Sequence, residues 1–228
     1  MKDLGKIILH IPAREGSKRV PRKNLRLMNG KPMISYVIEA ALQSGVTEHC
    51  YVNTDSGELI AYIKSAYPQM KIYLRAKELC NDRAQSDDFN VDIIRNLQPD
   101  TLIMINPVCP LIEAMDIRKV VEAYKNSKAD TLITSCSTHM QTFCEGRPVN
   151  IDVTQPLVPS QKNPVITTLN WAITIWDAKS FLYRMNEKGF GVWGEQLTFY
   201  DIEPFKAVKV SVEEDFLFAE KLIKTRNV

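Results

Sequence analysis

Short apolar runs take turns with amphipathic ones through the first 135 residues. Positions 6–11 are apolar almost throughout and predict a buried strand, and the spacing over 33–42 predicts a helix behind it. The same reading gives a strand at 50–53, a helix at 58–65 ended near Pro68, and a short strand at 71–74. A helix at 89–96 follows, its apolar face marked by Val91, Ile94 and Leu97. Then come a strand at 101–105, a helix at 114–124 and a strand at 131–135. Apolar strands separated by helices imply an α/β fold: a mostly parallel, doubly wound, Rossmann-like sheet covered on both faces, with right-handed crossovers.

The pattern breaks after Ser135. Positions 137–164 are polar, carry Pro148, Pro156, Pro159 and Pro164, and show no clean period, as expected of an inserted arm. Regular signal returns at 166–176 as one long strand, so the arm region spans roughly 137–176. A helix at 178–185, a last strand at 206–210 and a last helix at 212–223 complete the chain. Phe216, Ala219, Leu222 and Ile223 form the apolar face of that helix. A length of 228 residues suits one domain, 1–228, with a core large enough to need no staples.

Charge changes the picture at one place. The formal net charge is only +2, yet between Arg14 and Lys31 the cations Arg14, Lys18, Arg19, Arg22, Lys23, Arg26 and Lys31 face the single acid Glu15. Such a loop repels itself unless it holds an anion, and it follows the first strand, at the carboxyl edge where open α/β sheets bind ligands. Gly16 and Ser17 permit close backbone approach, and Arg14, Lys18 and Lys23 supply cations for a polyphosphate. No GxxxxGK[ST] and no GxGxxG is present, which argues against a Walker-type nucleotide site and a dinucleotide fold. Near-neutral overall charge and the absence of interleaved aromatics argue against nucleic acid.

Five scattered cysteines without a CxxC pair support neither a disulfide framework nor zinc. The apolar run at 7–9 is too short for a signal segment or a membrane span, so a cytoplasmic protein is expected. His10, His49 and His139 share no spacing and read as structural, and Trp171, Trp176 and Trp193 as core or subunit interface. Asp55 reads equally as a helix cap and as a ligand contact, and Asp82, Asp87 and Asp88 as solvated or capping.

The run IPAREGSKRVPRKN followed by GKPMISYVIEAA resembles the N-terminal signature of the CMP-sugar-acid synthetases, the CMP-N-acylneuraminate synthetase family. Weaker likenesses extend along nearly the whole chain, at 53–56, 74–88, 104–117 and the strand carrying Asn170. The resemblance implies a cytidylyltransferase that joins CTP to a nine-carbon or eight-carbon keto-sugar acid and releases pyrophosphate. Carried over by motif, Arg14, Ser17, Lys18 and Lys23 hold the triphosphate, with Lys23 and Arg14 as the catalytic pair. Asn24, Arg75, Ala84 and Ser86 line the cytidine pocket, while Asn106 and Asn170 lie near the sugar. A homodimer built through the arm and a Mg²⁺ ion are also implied. One departure stands against the ion: the family's Asp-x-Asp metal positions are Lys209 and Ser211 here. Three explanations follow: the Lys209 ammonium replaces the metal's charge, Glu213, Glu214 or Asp215 supplies a ligand, or a catalytically impaired relative binds nucleotide or sugar only.

Overall fold

The computed structural model describes residues 1–16 and 19–226. Its elements in order are β1 (Ile7–Pro12), a two-residue hairpin of β2 (Leu27–Met28) and β3 (Lys31–Pro32), α1 (Met33–Ser44), β4 (Cys50–Thr54), α2 (Gly57–Ala66) and β5 (Lys71–Leu74). Next come α3 (Ser86–Leu97), β6 (Thr101–Ile105), α4 (Ala114–Asn126), β7 (Thr131–Thr138), a hairpin of β8 (Phe143–Cys144) and β9 (Arg147–Pro148), and β10 (Ile166–Asp177). The chain closes with α5 (Ala178–Lys188), β11 (Leu197–Asp201) and α6 (Glu213–Arg226).

Seven strands form one sheet in the order β11-β7-β10-β6-β1-β4-β5. Pairing is parallel at β1–β4, β1–β6, β4–β5 and β7–β11, and only β10 runs antiparallel, between β6 and β7. The expected mostly parallel sheet is therefore present. Period-two alternation divides the core between its faces. On β1, Ile8 joins Leu102, Met104, Trp176 and Phe181 under α3 and α5, whereas Leu9 and Ile11 join Ile103, Ile105, Ile38 and Ile117 under α1, α2 and α4. The register of each strand is thereby set, because a one-residue slip would turn both faces inside out.

One expectation fails at the C-terminal end. Positions 206–210 are no strand: 204–207 form a turn in which the Lys206 N–H donates to the Glu203 carbonyl, 2.9 Å away. The Lys206 ammonium is drawn inward by Asp116 and Glu113 at 2.8 Å, and Val210 enters a third core cluster with Val20, Met28, Leu111 and Phe216. Its apolar spacing reports burial beneath α6 and not a ladder. The edge strand is instead β11, whose Leu197 and Phe199 alternate with Thr198 and Tyr200 in a run of β-branched and aromatic residues.

The arm leaves β7 and returns on β10, whose first residues still pair with β7, so its irregular part is 139–165. Buried Asn150 and Asn163 tie it down: Asn150 Nδ2 donates to the carbonyls of Met140 and Pro164, and Asn163 Nδ2 to that of His139. Between Leu169 and Thr174 the β10 register advances five positions against two on β7, a bulge in which Trp171 takes a positive φ of 58°. Bulges re-aim side chains, and this one turns Trp171 toward the carboxyl ends of β1 and β6.

Candidate functional site

At the carboxyl edge the basic loop is folded against fixed partners. The Ala13 N–H donates to the Asn53 carbonyl, the Glu15 N–H to Asp55 Oδ1 at 2.8 Å, and buried Val20 pins the middle of the loop in the α6 cluster. Its far end is locked by the Ile34 N–H, which donates to the Asn24 carbonyl at the start of α1. Much of the loop's charge is internally neutralised: Arg22 pairs with Glu58, Arg26 with Glu213, and Lys31 with Glu39. Arg14 bridges Asp82 at 2.6 Å and donates to the Cys80 carbonyl. Among the described residues Arg19 and Lys23 have no carboxylate partner.

A cavity of about 380 Å³ opens inside this loop, bordered by Arg14, Arg19, Lys23, Asn24, Asp82 and Asn106. Lys23 Nζ donates to the Val210 carbonyl at 3.0 Å. Burial, then the neighbouring charges of Arg19 and Lys209, hold its pKa below the ordinary lysine value, with Asp215 and Cys109 opposing. Asn24 Oδ1 is buried without a hydrogen-bond partner. A buried amide oxygen beside cations without carboxylate partners among the described residues suits an oxygen-rich anion that also carries hydroxyl donors.

A second cavity, about 480 Å³, adjoins the first and shares Pro12, Arg14 and Asn106 with it. Its walls are Phe89, Met104, Trp171 and Trp193, and its polar points are Arg75, Ser86, Asn106 and Lys209. Trp171 meets Trp193 edge to face at 5.2 Å. Trp193 is carried by a loop that Asp87 fastens, accepting from the N–H groups of Gly191 and Val192 at 2.6 and 2.8 Å. Gly191 is required there, since a Cβ would stand 2.6 Å from the Phe181 ring. Arg75 is buried and donates to Asn53 through Nε and Nη2, at 2.8 and 3.1 Å, and stacks over Phe89 at 4.7 Å. Both cavities fall in the size range of small-molecule sites and lie where several strands end.

The structure thus brings Arg14, Lys23, Asn24, Arg75, Ser86 and Asn106 to one double cavity. Ser17 and Lys18 lie outside the described residues. Ala84 sits in the turn before α3, its N–H held by Asn81 Oδ1, and borders neither cavity. Asn170 occupies the β10 bulge, where Oδ1 accepts from the Thr134 hydroxyl at 2.7 Å and Nδ2 donates to Cys136 Sγ. Several residues stand elsewhere than expected. Trp176 is core, as anticipated, but Trp171 and Trp193 line the site. Asp88 completes a capping box on α3 whereas Asp87 reaches across to the Gly191 loop, and Ser56, not Asp55, caps α2. Arg75 takes Asn53 as its partner. Only the β10 bulge explains Trp171, and no short motif announces a bulge.

The donor set does not suit a divalent cation. Among the described residues no group of three or more His, Cys, Asp or Glu gathers as a metal cluster. Asp82 is engaged by Arg14, Glu213 by Arg26, and Asp215 by the N–H groups of Ser211 and Val212 at 2.8 and 3.0 Å. Around the shared Pro12, Arg14 and Asn106 the charged side chains lining the two cavities are Arg14, Arg19, Lys23, Arg75 and Lys209 against the single acid Asp82, and hard divalent ions need oxygen ligands.

Comparison with known proteins agrees with this geometry. The family model described as "Cytidylyltransferase" matches residues 8–202. The chain is 29% identical over 237 residues to a CMP-N,N'-diacetyllegionaminic acid synthase of Legionella pneumophila, covering 96% of this chain and 97% of that one. An N-acylneuraminate cytidylyltransferase A of Danio rerio is 26% identical, over 93% of this chain and 50% of that protein. Among solved structures, a CMP-2-keto-3-deoxy-manno-octonic acid synthetase complexed with CTP superposes with a TM-score of 0.66 at 16% identity, covering 97% and 99% of the two chains.

Proposed function

Because the chain belongs to the cytidylyltransferase family, we propose that it transfers CMP from CTP to a nonulosonic keto-sugar acid, with release of pyrophosphate. The observation that carries this reading is the double cavity: a cradle with Arg19 and Lys23, which have no carboxylate partner among the described residues, and the Asn24 oxygen, adjoining an aromatic-walled chamber. Polyphosphate suits the first, and a base and a sugar suit the second. Relatives named as legionaminic, N-acylneuraminate and pseudaminic acid enzymes support the acceptor class.

In this reading Arg14, Arg19 and Lys23, together with Ser17 and Lys18 of the same motif, hold the triphosphate. Arg75 and Ser86 belong to the cytidine side and Asn106 to the acceptor side; Asn24 stands on the cradle, where its oxygen can take a nucleotide hydroxyl, and Ala84 and Asn170 border neither cavity. The anomeric hydroxyl oxygen bonds to the α-phosphorus, the bond from that phosphorus to its bridging oxygen breaks, and pyrophosphate leaves with the electron pair while the hydroxyl proton passes to solvent. Such a reaction asks for in-line placement and charge neutralisation more than for covalent help. Lys23, half-buried and anchored on Val210, offsets the charge developing at the α-phosphate.

The 1–228 unit acts as one catalytic domain, and its arm pairs two copies into a homodimer. That part rests on Met140, Phe143, Val149, Val153 and Leu157, which the arm exposes with no cluster beneath them. Cytidylyltransferases generally use Mg²⁺, and turnover is to be measured with and without it. The test is pyrophosphate release with each of the four nucleoside triphosphates and a panel of eight- and nine-carbon keto-sugar acids. CTP-selective product with one acid class is expected. CTP binding without product under every combination would instead assign the chain to a binding-only relative.

A further inference from the structure

Arg19, Lys23 and Lys209 have no carboxylate partner among the described residues; Arg19 and Lys23 border the first cavity and Lys209 the second, on either side of the Pro12, Arg14 and Asn106 that the two share, and the charges of Arg19 and Lys209 both reach Lys23. Lys209 borders the aromatic-walled cavity beside Arg14 and Asn106. Its charge is felt on the cradle side as well, at Lys23 and at the buried Cys109 thiol, which desolvation pushes up to about 12 against the pull of both lysines. The backbone beside it is fixed: the Val210 N–H donates to the Val108 carbonyl at 2.8 Å, and the Val210 carbonyl accepts from Lys23. Lys209 therefore projects from a pinned segment, yet its side chain is exposed and free to meet a ligand.

The alternatives to this side chain as the local source of positive charge are closed by geometry. Of the three acids that could stand in for the missing aspartates at 209 and 211, Glu213 and Asp215 are engaged by Arg26 and by the start of α6, and Glu214 is exposed on α6 and borders neither cavity. A dication placed at the junction would face Arg14, Lys23 and Lys209 with no unengaged carboxylate to hold it there. An oxyanion placed there would relieve the repulsion among all three.

On the reading of this site as a CTP site, we propose that Lys209 is a phosphate-binding residue, its ammonium resting on the oxygens of the triphosphate at the cavity junction, so that nucleotide binding does not need a divalent cation. Lysine serves here as a mobile point charge, the role in which it binds phosphate best.

Calorimetric titration of the full chain with CTP, in excess EDTA and again in millimolar Mg²⁺, tests the proposal. Wild-type protein is expected to bind CTP in EDTA within about threefold of its affinity in Mg²⁺, and Lys209→Ala to weaken binding in EDTA by about tenfold or more. Lys209→Arg is expected to retain affinity in EDTA, and Lys209→Asp to lose it there and recover it with Mg²⁺. Because the side chain is exposed, all three variants are expected to melt with the wild type, which a thermal scan verifies. Wild-type binding that needs Mg²⁺, or Lys209→Ala binding unchanged in EDTA, overturns the proposal while leaving the CTP site standing. A folded wild type that binds CTP under neither condition overturns the reading of the site, and this inference with it.

Discussion

The loop of residues 13–24 and the arm of residues 139–165 are both connections between strands, and neither contains a regular element longer than three residues. Their attachments differ. The loop is fastened at each end by backbone hydrogen bonds to β4 and α1 and in its middle by Val20, and it presents Arg19 and Lys23, which have no carboxylate partner among the described residues. The arm is stitched mainly to itself, by Asn150, Asn163 and the His139 contact, and presents apolar side chains with nothing over them. One connection borders a cavity with charged side chains, and the other exposes apolar ones to solvent. A rigid framework turns a loop into a site, whereas an unframed apolar arm points to a second chain.

The comparison is broken most severely by removing the cradle's central cation. Lys23→Ala is expected to lower kcat/KM for CTP by about 10²- to 10³-fold, the loss typical of deleting one preorganised electrostatic contact to a transition state. Steady-state pyrophosphate release measures it, with a thermal scan to show that the lost Val210 contact has not unfolded the protein. Wild-type turnover by this variant would remove Lys23 from the chemistry and leave Arg14 and Arg19 as the cations to examine.

A smaller effect is expected from the arm. Leu157 is 81% exposed, so Leu157→Asp leaves the monomer's fold intact, but a charge in an apolar contact between copies should raise the dimer dissociation constant by about tenfold or more. Sedimentation velocity across a concentration series reads this directly. Wild-type protein that sediments as a monomer throughout would show that the arm's apolar side chains serve something other than self-association.

Legibility in the sequence follows the same division. Strand and helix positions through residue 135 could be read because each buried face repeats locally, and the cradle because seven cations within eighteen consecutive residues need no knowledge of distant partners. What could not be read depends on contacts far along the chain. Trp171 enters the site through a β10 bulge, Trp193 through a loop clamped by Asp87 more than a hundred positions earlier, and the apolar spacing at 206–210 marks burial beneath α6 instead of a strand. The assignment of Arg22, Arg26 and Lys31 to ion pairs, which leaves Arg19 and Lys23 for a ligand, likewise needed Glu58, Glu213 and Glu39 in space.

The smallest expected effect, silent near neutrality, tests how rigidly the framework beneath the cradle is built. His10 is fully buried on β1, its ring edge on to Phe89, and neither ring nitrogen finds a hydrogen-bond partner although Asn90 lies alongside. Burial first, and the charge of Arg75 second, lower its pKa to about 3. The unfolded chain takes up the proton near pH 6.5 while the folded chain refuses it until about 3, so stability is whole above 6.5 and falls as the pH drops through that window. At about pH 4.5 the loss from this one group amounts to about 2–3 kcal/mol. His10→Leu removes the titration and two unpaired nitrogens together, and is expected to melt near the wild type at pH 7 but to lose less stability on acidification. Parallel acid profiles for the two proteins would mean that the packing around His10, against Phe89 and Arg75 of the aromatic-walled cavity, yields enough to hydrate the ring.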